Sequence, residues 1–213
     1  MSRIKCIFFE ASTKVKRYFR RYQDGDCLGK GEYHNAEIFY DEIEVPVPID
    51  GFENDPRMIS GLPHKNLKAQ YPQKCDHCDF IFNDNSTFQK NPQRQYFCEA
   101  TGEYFELQKI PVGGMYFAPW LDCWTTPQLA HVLIVRTPGG LWTVDSQASN
   151  CTKPKSNGEK GRLQSDHHCW IIEGDTPPNI TVSKNGNTCG AGAGSIQCGN
   201  YHGFLRNGYL EEC

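Results

Sequence analysis

The chain has 213 residues, of which 38% are apolar and 22% charged, and its net charge is −3 at pH 7. This length fits one large domain or two small ones. The charge balance excludes a non-specific nucleic-acid binder, which needs a large excess of basic residues. No stretch approaches the ~18 apolar residues of a membrane span. The apolar run Cys6–Phe9 is too short for a signal-peptide core, so we expect no export by that route.

Cysteine is frequent, with 11 residues, and the number is odd. Without an export signal, a disulfide framework is not the default interpretation of so many cysteines. The odd thiol still suits pairing between chains, for which Cys6 and Cys213, near the chain ends, are the candidates.

Residues 1–45 predict one short helix. Four apolar or aromatic residues have the spacing of a single helix face: Val15, Tyr18, Phe19 and Tyr22. Five basic residues are interpreted as its solvated face: Lys14, Lys16, Arg17, Arg20 and Arg21. The segment 36–45 that follows fits a strand or a short helix.

Residues 46–74 predict an extended arm. Five prolines in this stretch fix the backbone and remove hydrogen-bond donors. A long segment of this kind usually carries function or lies across a partner. We therefore divide the chain into an N-terminal helix with its arm, residues 1–74, and a β domain, residues 75–213.

The last third of the chain predicts antiparallel strands. Thr137-Pro-Gly-Gly separates two apolar runs and is typical of a hairpin turn. Asn185-Gly186 and Asn207-Gly208 are strong signals for two-residue turns. The expected fold is mainly β in the α+β class, a hairpin-rich antiparallel domain with one short helix and the Pro-rich arm.

Cys75-x2-Cys78 is the sharpest local motif. Two thiolates separated by two residues can bind one ion from a tight turn, and zinc favours sulfur and imidazole ligands in a tetrahedron. Cys98 is the nearest candidate for a third ligand. The fourth is open among His77, His64 and a residue of the C-terminal third. A redox motif lacks its βαβ context here, and two ordinary thiols in a turn remain the alternative.

A second group of cysteines and histidines lies in the C-terminal third. Its members are Cys151, His167, His168, Cys169 and Cys189, with His202 nearby in sequence. Antiparallel strands can bring these positions together as a second metal site, which would use Cys151, His168, Cys169 and Cys189. The same cysteines also fit buried core thiols, because cysteine packs as a small apolar residue.

Catalysis is an alternative for this group. A thiol hydrolase needs a cysteine, a histidine that deprotonates it and a polar group that orients the histidine. Cys151, His168 and Asp145 supply these types. However, Pro154 and the polar run around it favour a loop after Cys151, not the helix start that places the thiol in Cys/His amidases of phage origin.

Several motifs resemble a group of small bacteriophage-encoded proteins for which no activity is known. The resemblance covers residues 75–210, and implies a phage origin and a metal site but no reaction. The motifs are Cys75-x2-Cys78, Thr101-Gly102-Glu103, Trp142-Thr-Val-Asp, Ala148-Ser-Asn-Cys-Thr, His168-Cys-Trp, Pro177-Pro-Asn-Ile-Thr-Val, Cys189-Gly-Ala-Gly-Ala-Gly-Ser-Ile and Tyr201-His-Gly-Phe-Leu-Arg-Asn-Gly.

The sequence thus favours a non-catalytic, zinc-stabilised phage protein. Such a protein would be a structural or accessory component of the virion or a binding module, with other virion subunits or further copies of itself as partners. Its expected location is the virion or the host cytoplasm. Two alternatives stay open, namely a thiol hydrolase acting on cell wall or peptide, and a virion subunit locked by disulfides.

Overall fold

Two compact units divide the chain. The first consists of Met1–Ala11 and Tyr96–Cys213, and the second of Ser12–Gln95. Neither border coincides with the one predicted between residues 74 and 75. The computed structural model describes residues 3–28, 31–45, 61, 71–123, 125–148, 151–152, 167–174, 176–185 and 194–213.

The described part of the chain is mainly β, as predicted. Its helical segments are two short 3₁₀ turns, Leu107–Lys109 and Pro119–Leu121, and neither has the length and apolar character to cross a membrane. The strands are β1 (Arg3–Lys5), β2 (Ile7–Asp24), β3 (Tyr33–Glu44), β4 (Thr87–Cys98), β5 (Glu103–Glu106), β6 (Gly114–Phe117), β7 (Leu133–Thr137), β8 (Gly140–Thr143), β9 (Trp170–Glu173), β10 (Thr181–Lys184), β11 (Ile196–Cys198), β12 (Tyr201–Arg206) and β13 (Tyr209–Glu212).

The predicted N-terminal helix is wrong, because its residues belong to the long strand β2. Val15 and Phe19 are buried on this strand, and Arg17 and Arg21 are buried in alternation with them. Side chains two residues apart share one face of a strand. Since two of the inward positions are arginines, the apolar residues alone do not show the period of two, and their spacing imitates a helix. The basic cluster is therefore half buried and is not a solvated helix face.

In the second unit, β2 and β3 form an antiparallel hairpin, so residues 36–44 of the segment that fitted a strand or a short helix are strand. Oppositely charged side chains face each other across the hairpin, which stabilises its register. The pairs are Lys14 with Glu44, Lys16 with Glu42, Arg17 with Asp41, and Arg20 with Glu37. The hairpin turn brings the end of β2 beside the start of β3, and both ends contribute to the site described below.

Arg21 fastens β2 to the segment that carries the Cys-x2-Cys motif. Its guanidinium donates to Ser86 Oγ at 2.7 Å, to Gln73 Oε1 at 2.9 Å, and to the carbonyl oxygens of Asn83 and Pro72 at 2.9 and 3.2 Å. Burying a cation is costly unless its donors are satisfied, and here four acceptors surround it. This network explains why a buried arginine is tolerated, and it positions the residues on both sides of the motif.

The first unit contains two groups of strands. One has the order β1-β13-β12-β10-β9, with β11 beside β12. In the other, β6, β7 and β8 are antiparallel, and the start of β2 runs parallel to β6. The hairpins predicted at residues 137–140 and 207–208 are confirmed. Asn207 and Gly208 have φ of 47° and 74°, the conformation that a two-residue turn requires.

The main apolar core of the first unit includes two thiols, Cys6 and Cys169, each 1% exposed. Trp142 and Trp170 pack edge to face in the same core, with ring centroids 5.7 Å apart. Two predicted features extend outside the described residues. They are the turn at Asn185-Gly186, of which Gly186 is not described, and most of the Pro-rich arm, residues 46–60 and 62–70.

Candidate metal centre

Four side chains of the second unit converge on one point. The ligand atoms of Cys27, His34, Cys75 and Cys78 all lie within 4.8 Å of one another. The Cys27 sulfur is 3.7 Å from that of Cys75 and 3.8 Å from that of Cys78. The Cys78 sulfur is 3.2 Å from Nδ1 of His34. These sulfur–sulfur distances are nearly twice the length of a disulfide bond, so the three thiols are close but not bonded.

The distances match those between the ligands of a tetrahedral zinc ion. With Zn–S bonds of about 2.3 Å and a Zn–N bond of about 2.05 Å, tetrahedral angles place two sulfurs about 3.8 Å apart and a sulfur and a nitrogen about 3.6 Å apart. The two sulfur–sulfur contacts agree within 0.1 Å, and the sulfur–nitrogen contact is shorter by a few tenths of an ångström. The group therefore has the composition and the size of a Cys3His site.

Backbone hydrogen bonds shape the turn that carries Cys75 and Cys78. The Cys75 N–H donates to the Phe80 carbonyl at 2.9 Å, which closes the turn. The Asp76 N–H donates to the Asn35 carbonyl at 2.9 Å, which ties the turn to β3 beside His34. The turn thus comes to the hairpin as a preformed unit, with its two sulfurs on one side.

The other two ligands come from the β2–β3 connection. Cys27 lies just beyond the end of β2, and its N–H donates to the Gly31 carbonyl at 3.1 Å. His34 is the second residue of β3 and is buried. Gly25 has φ of +148°, and a Cβ there would lie 2.9 Å from Nε2 of His34. Glycine is therefore required at position 25 to make room for the imidazole.

Acidity differs between the thiols of the site. Burial raises the pKa of Cys27, and with the added influence of the Cys75 and Cys78 thiols it reaches about 12. Burial also acts to raise the pKa of Cys75, but the backbone N–H groups of His77 and Asn35 and the two neighbouring thiols outweigh it and lower the pKa to about 6. A divalent cation bound at this point would favour the thiolate form of all three cysteines.

A second group lies in the first unit. The ligand atoms of Cys151, His167 and Cys169 lie within 4.8 Å of one another, and the Cys169 sulfur is 3.5 Å from Nε2 of His167. Cys169 immediately precedes β9 and is buried, whereas Cys151 and His167 are partly exposed. Both groups could hold a metal ion, as the sequence analysis expected of the cysteines and histidines.

The predicted ligands are distributed over these groups as follows. Cys75 and Cys78 belong to the first, and Cys151 and Cys169 to the second. Cys98 belongs to neither, since it is 1% exposed in an apolar cluster of the first unit. The first group has four ligands without it, so the proposed third ligand is replaced by residues of the hairpin.

The histidines considered for the first site have other positions. His77 contributes its backbone N–H, which donates to the Cys75 sulfur at 3.4 Å, and its ring is not part of the group. His64, like Cys189 of the second predicted set, lies outside the described residues. The ligands that the sequence analysis did not identify are Cys27 and His34 in the first group.

His168 points away from the second group, and His167 takes the place predicted for it. The ligand atoms of His167 and Cys169 belong to the group, whereas those of His168 do not. Nδ1 of His168 is 3.7 Å from Oδ1 of Asp145. Cys151 thus groups with His167, whereas Asp145 faces His168, and the three residues of the hydrolase alternative are divided between two contacts.

Asp145 is a buried carboxylate. The Gln128 side-chain amide donates to its Oδ1 at 3.0 Å, and the Gln128 backbone N–H donates at 3.3 Å. Burial raises the pKa of Asp145, and these hydrogen bonds and His168 act against that rise. The two hydrogen bonds from Gln128 fix this carboxylate beside His168.

No protein-family model, no curated protein and no solved structure matches this chain. The function is therefore argued from the geometry of the two Cys/His groups.

Proposed function

We propose that the second unit binds one structural zinc ion through Cys27, His34, Cys75 and Cys78, and that the protein is non-catalytic. The observation that carries this proposal is the convergence of three sulfurs and one ring nitrogen at tetrahedral spacing. Four protein ligands complete the tetrahedron of zinc, which is the composition of structural sites, whereas catalytic sites keep one position for water or substrate.

The donor set supports zinc over other common metals. Thiolate is a soft ligand and selects zinc, copper(I) and iron–sulfur clusters, while hard cations such as magnesium and calcium prefer oxygen. A mixed site of three sulfurs and one imidazole is found for zinc in tetrahedral geometry. The burial of Cys27, His34 and Cys75 shields the ion from solvent, which suits a structural role.

The second unit has little apolar core of its own to replace the ion. Among the described residues, its buried apolar side chains form three small, separate clusters. One of them surrounds the proposed site and includes Phe82 and Ala36. Structural zinc contributes about 10–16 kcal/mol of apparent binding free energy in small zinc-binding folds. An ion at this point would thus join the hairpin to the Cys-x2-Cys turn.

The biological role that we propose is that of a phage protein, either a structural or accessory component of the virion or a binding module. The motifs that resemble small phage-encoded proteins support this role. A metal site whose four coordination positions are all filled by protein side chains also supports it. The partners would then be other virion subunits or further copies of the chain.

Elemental analysis of the purified protein tests the zinc proposal. Cys75→Ser should lower the zinc content by one ion per chain and the Tm by at least about 10 °C, which corresponds to about 2 kcal/mol in a unit of this size. Cys98→Ser is the control, because this thiol is also buried but belongs to neither group. It should keep the zinc content of the unsubstituted protein.

Unchanged zinc content and Tm in Cys75→Ser would contradict the proposal. So would a mass lower by two hydrogens for each pair of cysteines, with no metal bound, since this would show the disulfide-locked alternative. Thiol titration of the denatured protein separates the two cases, because zinc-bound cysteines are recovered as thiols and disulfide-bonded ones are not.

A further inference from the structure

We propose that the first unit binds a second zinc ion through Cys151, His167 and Cys169. This goes beyond the structural zinc of the second unit, since it uses a separate set of residues in the other unit. Because two of its three ligands are partly exposed, the second ion would be released to a chelator faster than the structural one.

The spacing of the three side chains fits this ion. The distance of 3.5 Å between the Cys169 sulfur and Nε2 of His167 is within 0.1 Å of the value of about 3.6 Å that tetrahedral zinc imposes on a sulfur and a nitrogen ligand. The Cys151 sulfur lies within 4.8 Å of both atoms. Two thiols and one imidazole form a donor set for a thiophilic cation.

The backbone that carries these ligands is fixed from the other side. The Asn185 N–H donates to the Cys169 carbonyl at 2.9 Å, and the Asn185 side-chain amide donates to the His168 carbonyl at 2.7 Å. Both bonds hold residues 167–169 against the end of β10. The Cys151 N–H donates to the Ala148 carbonyl at 2.9 Å. The ligands are thus positioned by the protein itself, which favours metal binding.

The chain just after Cys169 is also fixed. Gln128 donates to the Trp170 carbonyl at 2.9 Å, and it holds the buried carboxylate of Asp145 with two hydrogen bonds. Nδ1 of His168 lies 3.7 Å from Oδ1 of Asp145, so His168 contacts this carboxylate and does not belong to the group.

The burial of the three ligands indicates an accessible ion. Cys169 is 1% exposed in the apolar core, whereas Cys151 and His167 are partly exposed. A chelator reaches an ion held by partly exposed ligands more easily than one held by buried ligands, so this ion should exchange faster than that of the second unit.

Native mass spectrometry and zinc release to a chelator test the proposal on the full chain. The unsubstituted protein should bind two zinc ions, one released rapidly to excess EDTA and one slowly. Cys169→Ser should lose one ion and the rapid phase, and should keep the slow phase. Cys6→Ser is the matched control, because Cys6 is equally buried in the same core but lies outside the group. It should keep both ions.

A second substitution keeps the test valid if Cys169→Ser does not fold. His167→Ala changes a partly exposed side chain and should also remove the rapid phase. Cys75→Ser should remove the slow phase alone, so the failure of this proposal and of the structural zinc are distinguishable.

Two outcomes would overturn the second site. The first is a single zinc ion in the unsubstituted protein that Cys169→Ser retains. The second is a disulfide between Cys151 and Cys169, seen as a mass lower by two hydrogens without a second ion.

Discussion

The imidazole of His34 lies flat against the ring of Phe80, with the two ring centroids 3.9 Å apart and the two planes 1° from parallel. This contact fixes the plane in which Nδ1 of His34 reaches the Cys78 sulfur. Phe80 is itself held edge-on by Phe82, with ring centroids 5.9 Å apart. An aromatic side chain outside the ligand set thus orients the one nitrogen ligand of the site.

Removing this ring should weaken zinc binding although no ligand is lost. Phe80→Ala should lower zinc affinity roughly 10- to 100-fold, the usual effect of removing a side chain that orients a metal ligand. Competition with a chromophoric chelator measures the change. Phe80→Tyr is the control, because it keeps a ring against the imidazole and should bind zinc nearly as well as the unsubstituted protein. Equal affinity of the alanine and tyrosine variants would show that the stacking has no part in binding.

The fourth ligand can be tested by exchanging its chemistry. His34→Cys should retain tetrahedral coordination with four sulfurs, whereas His34→Ala should leave three ligands and a looser ion. The absorption of the cobalt-substituted proteins distinguishes them, because each thiolate adds to the sulfur-to-cobalt charge-transfer band. The band should be stronger in His34→Cys than in the unsubstituted protein. A cobalt spectrum that is the same in all three proteins would exclude His34 from the site.

The space for the imidazole depends on a single glycine. In Gly25→Ala the new Cβ would lie 2.9 Å from Nε2 and 3.0 Å from Cδ2 of His34, closer than such atoms normally approach. The ring must shift, and we expect zinc affinity to fall at least about tenfold. Gly31→Ala is the control in the same connection, since nothing lies within 4 Å of a Cβ at that position. Isothermal titration of both variants with zinc should separate them, and equal affinities would count against the described packing.

The stability of the first unit should fall in alkaline solution because of Cys6. Burial raises the pKa of this thiol from 9.0 to about 12, although the Leu210 backbone N–H acts against the rise. A group whose pKa is raised on folding stabilises the fold below its unfolded pKa, and that contribution is lost as the pH rises through the folded value. The loss between pH 9 and pH 12 should reach about 1.4 kcal/mol per pH unit at most.

Urea unfolding across this pH range checks the effect of Cys6. Cys6→Ser removes the titrating thiol, so the free energy of unfolding should fall less steeply from about pH 9 to about pH 11 than in the unsubstituted protein. Parallel curves for the two proteins would show that ionisation of Cys6 is not coupled to folding.

The β class and two hairpins of the first unit could be predicted from the sequence, because the turns of these hairpins contain Asn-Gly or Pro-Gly-Gly between apolar runs. The state of β2 could not be predicted in the same way. Arg17 and Arg21 are buried, but a pattern of apolar residues in the sequence does not mark their positions as buried. These arginines can be buried because partners distant in sequence, such as Ser86 and Asp41, accept their hydrogen bonds. Sequence periodicity does not reveal such partners.

Two of the four ligands of the first group could be predicted from the sequence. Cys75 and Cys78 are close in sequence, and a tight turn is sufficient to direct both sulfurs at one ion. Cys27 and His34 come together only through the register of the β2–β3 hairpin. The sequence does not predict this hairpin, because the apolar residues of β2 have the spacing of a helix. The glycines around Cys27 were a usable signal, since they mark the turn of that hairpin.

The choice between His167 and His168 illustrates the same dependence on local geometry. Both precede Cys169, and residue type alone does not distinguish them. The structure groups His167 with Cys169 and places His168 beside Asp145, and both contacts depend on tertiary packing.

X-ray absorption at the zinc K edge tests the central claim most directly. The measurement is best made on Cys169→Ser, which by our account keeps only the ion of the second unit. We predict three sulfur neighbours at about 2.3 Å and one nitrogen neighbour at about 2.0–2.1 Å, with the outer-shell scattering of an imidazole ring. A first shell of nitrogen and oxygen atoms alone, or a purified protein without zinc, would contradict the account.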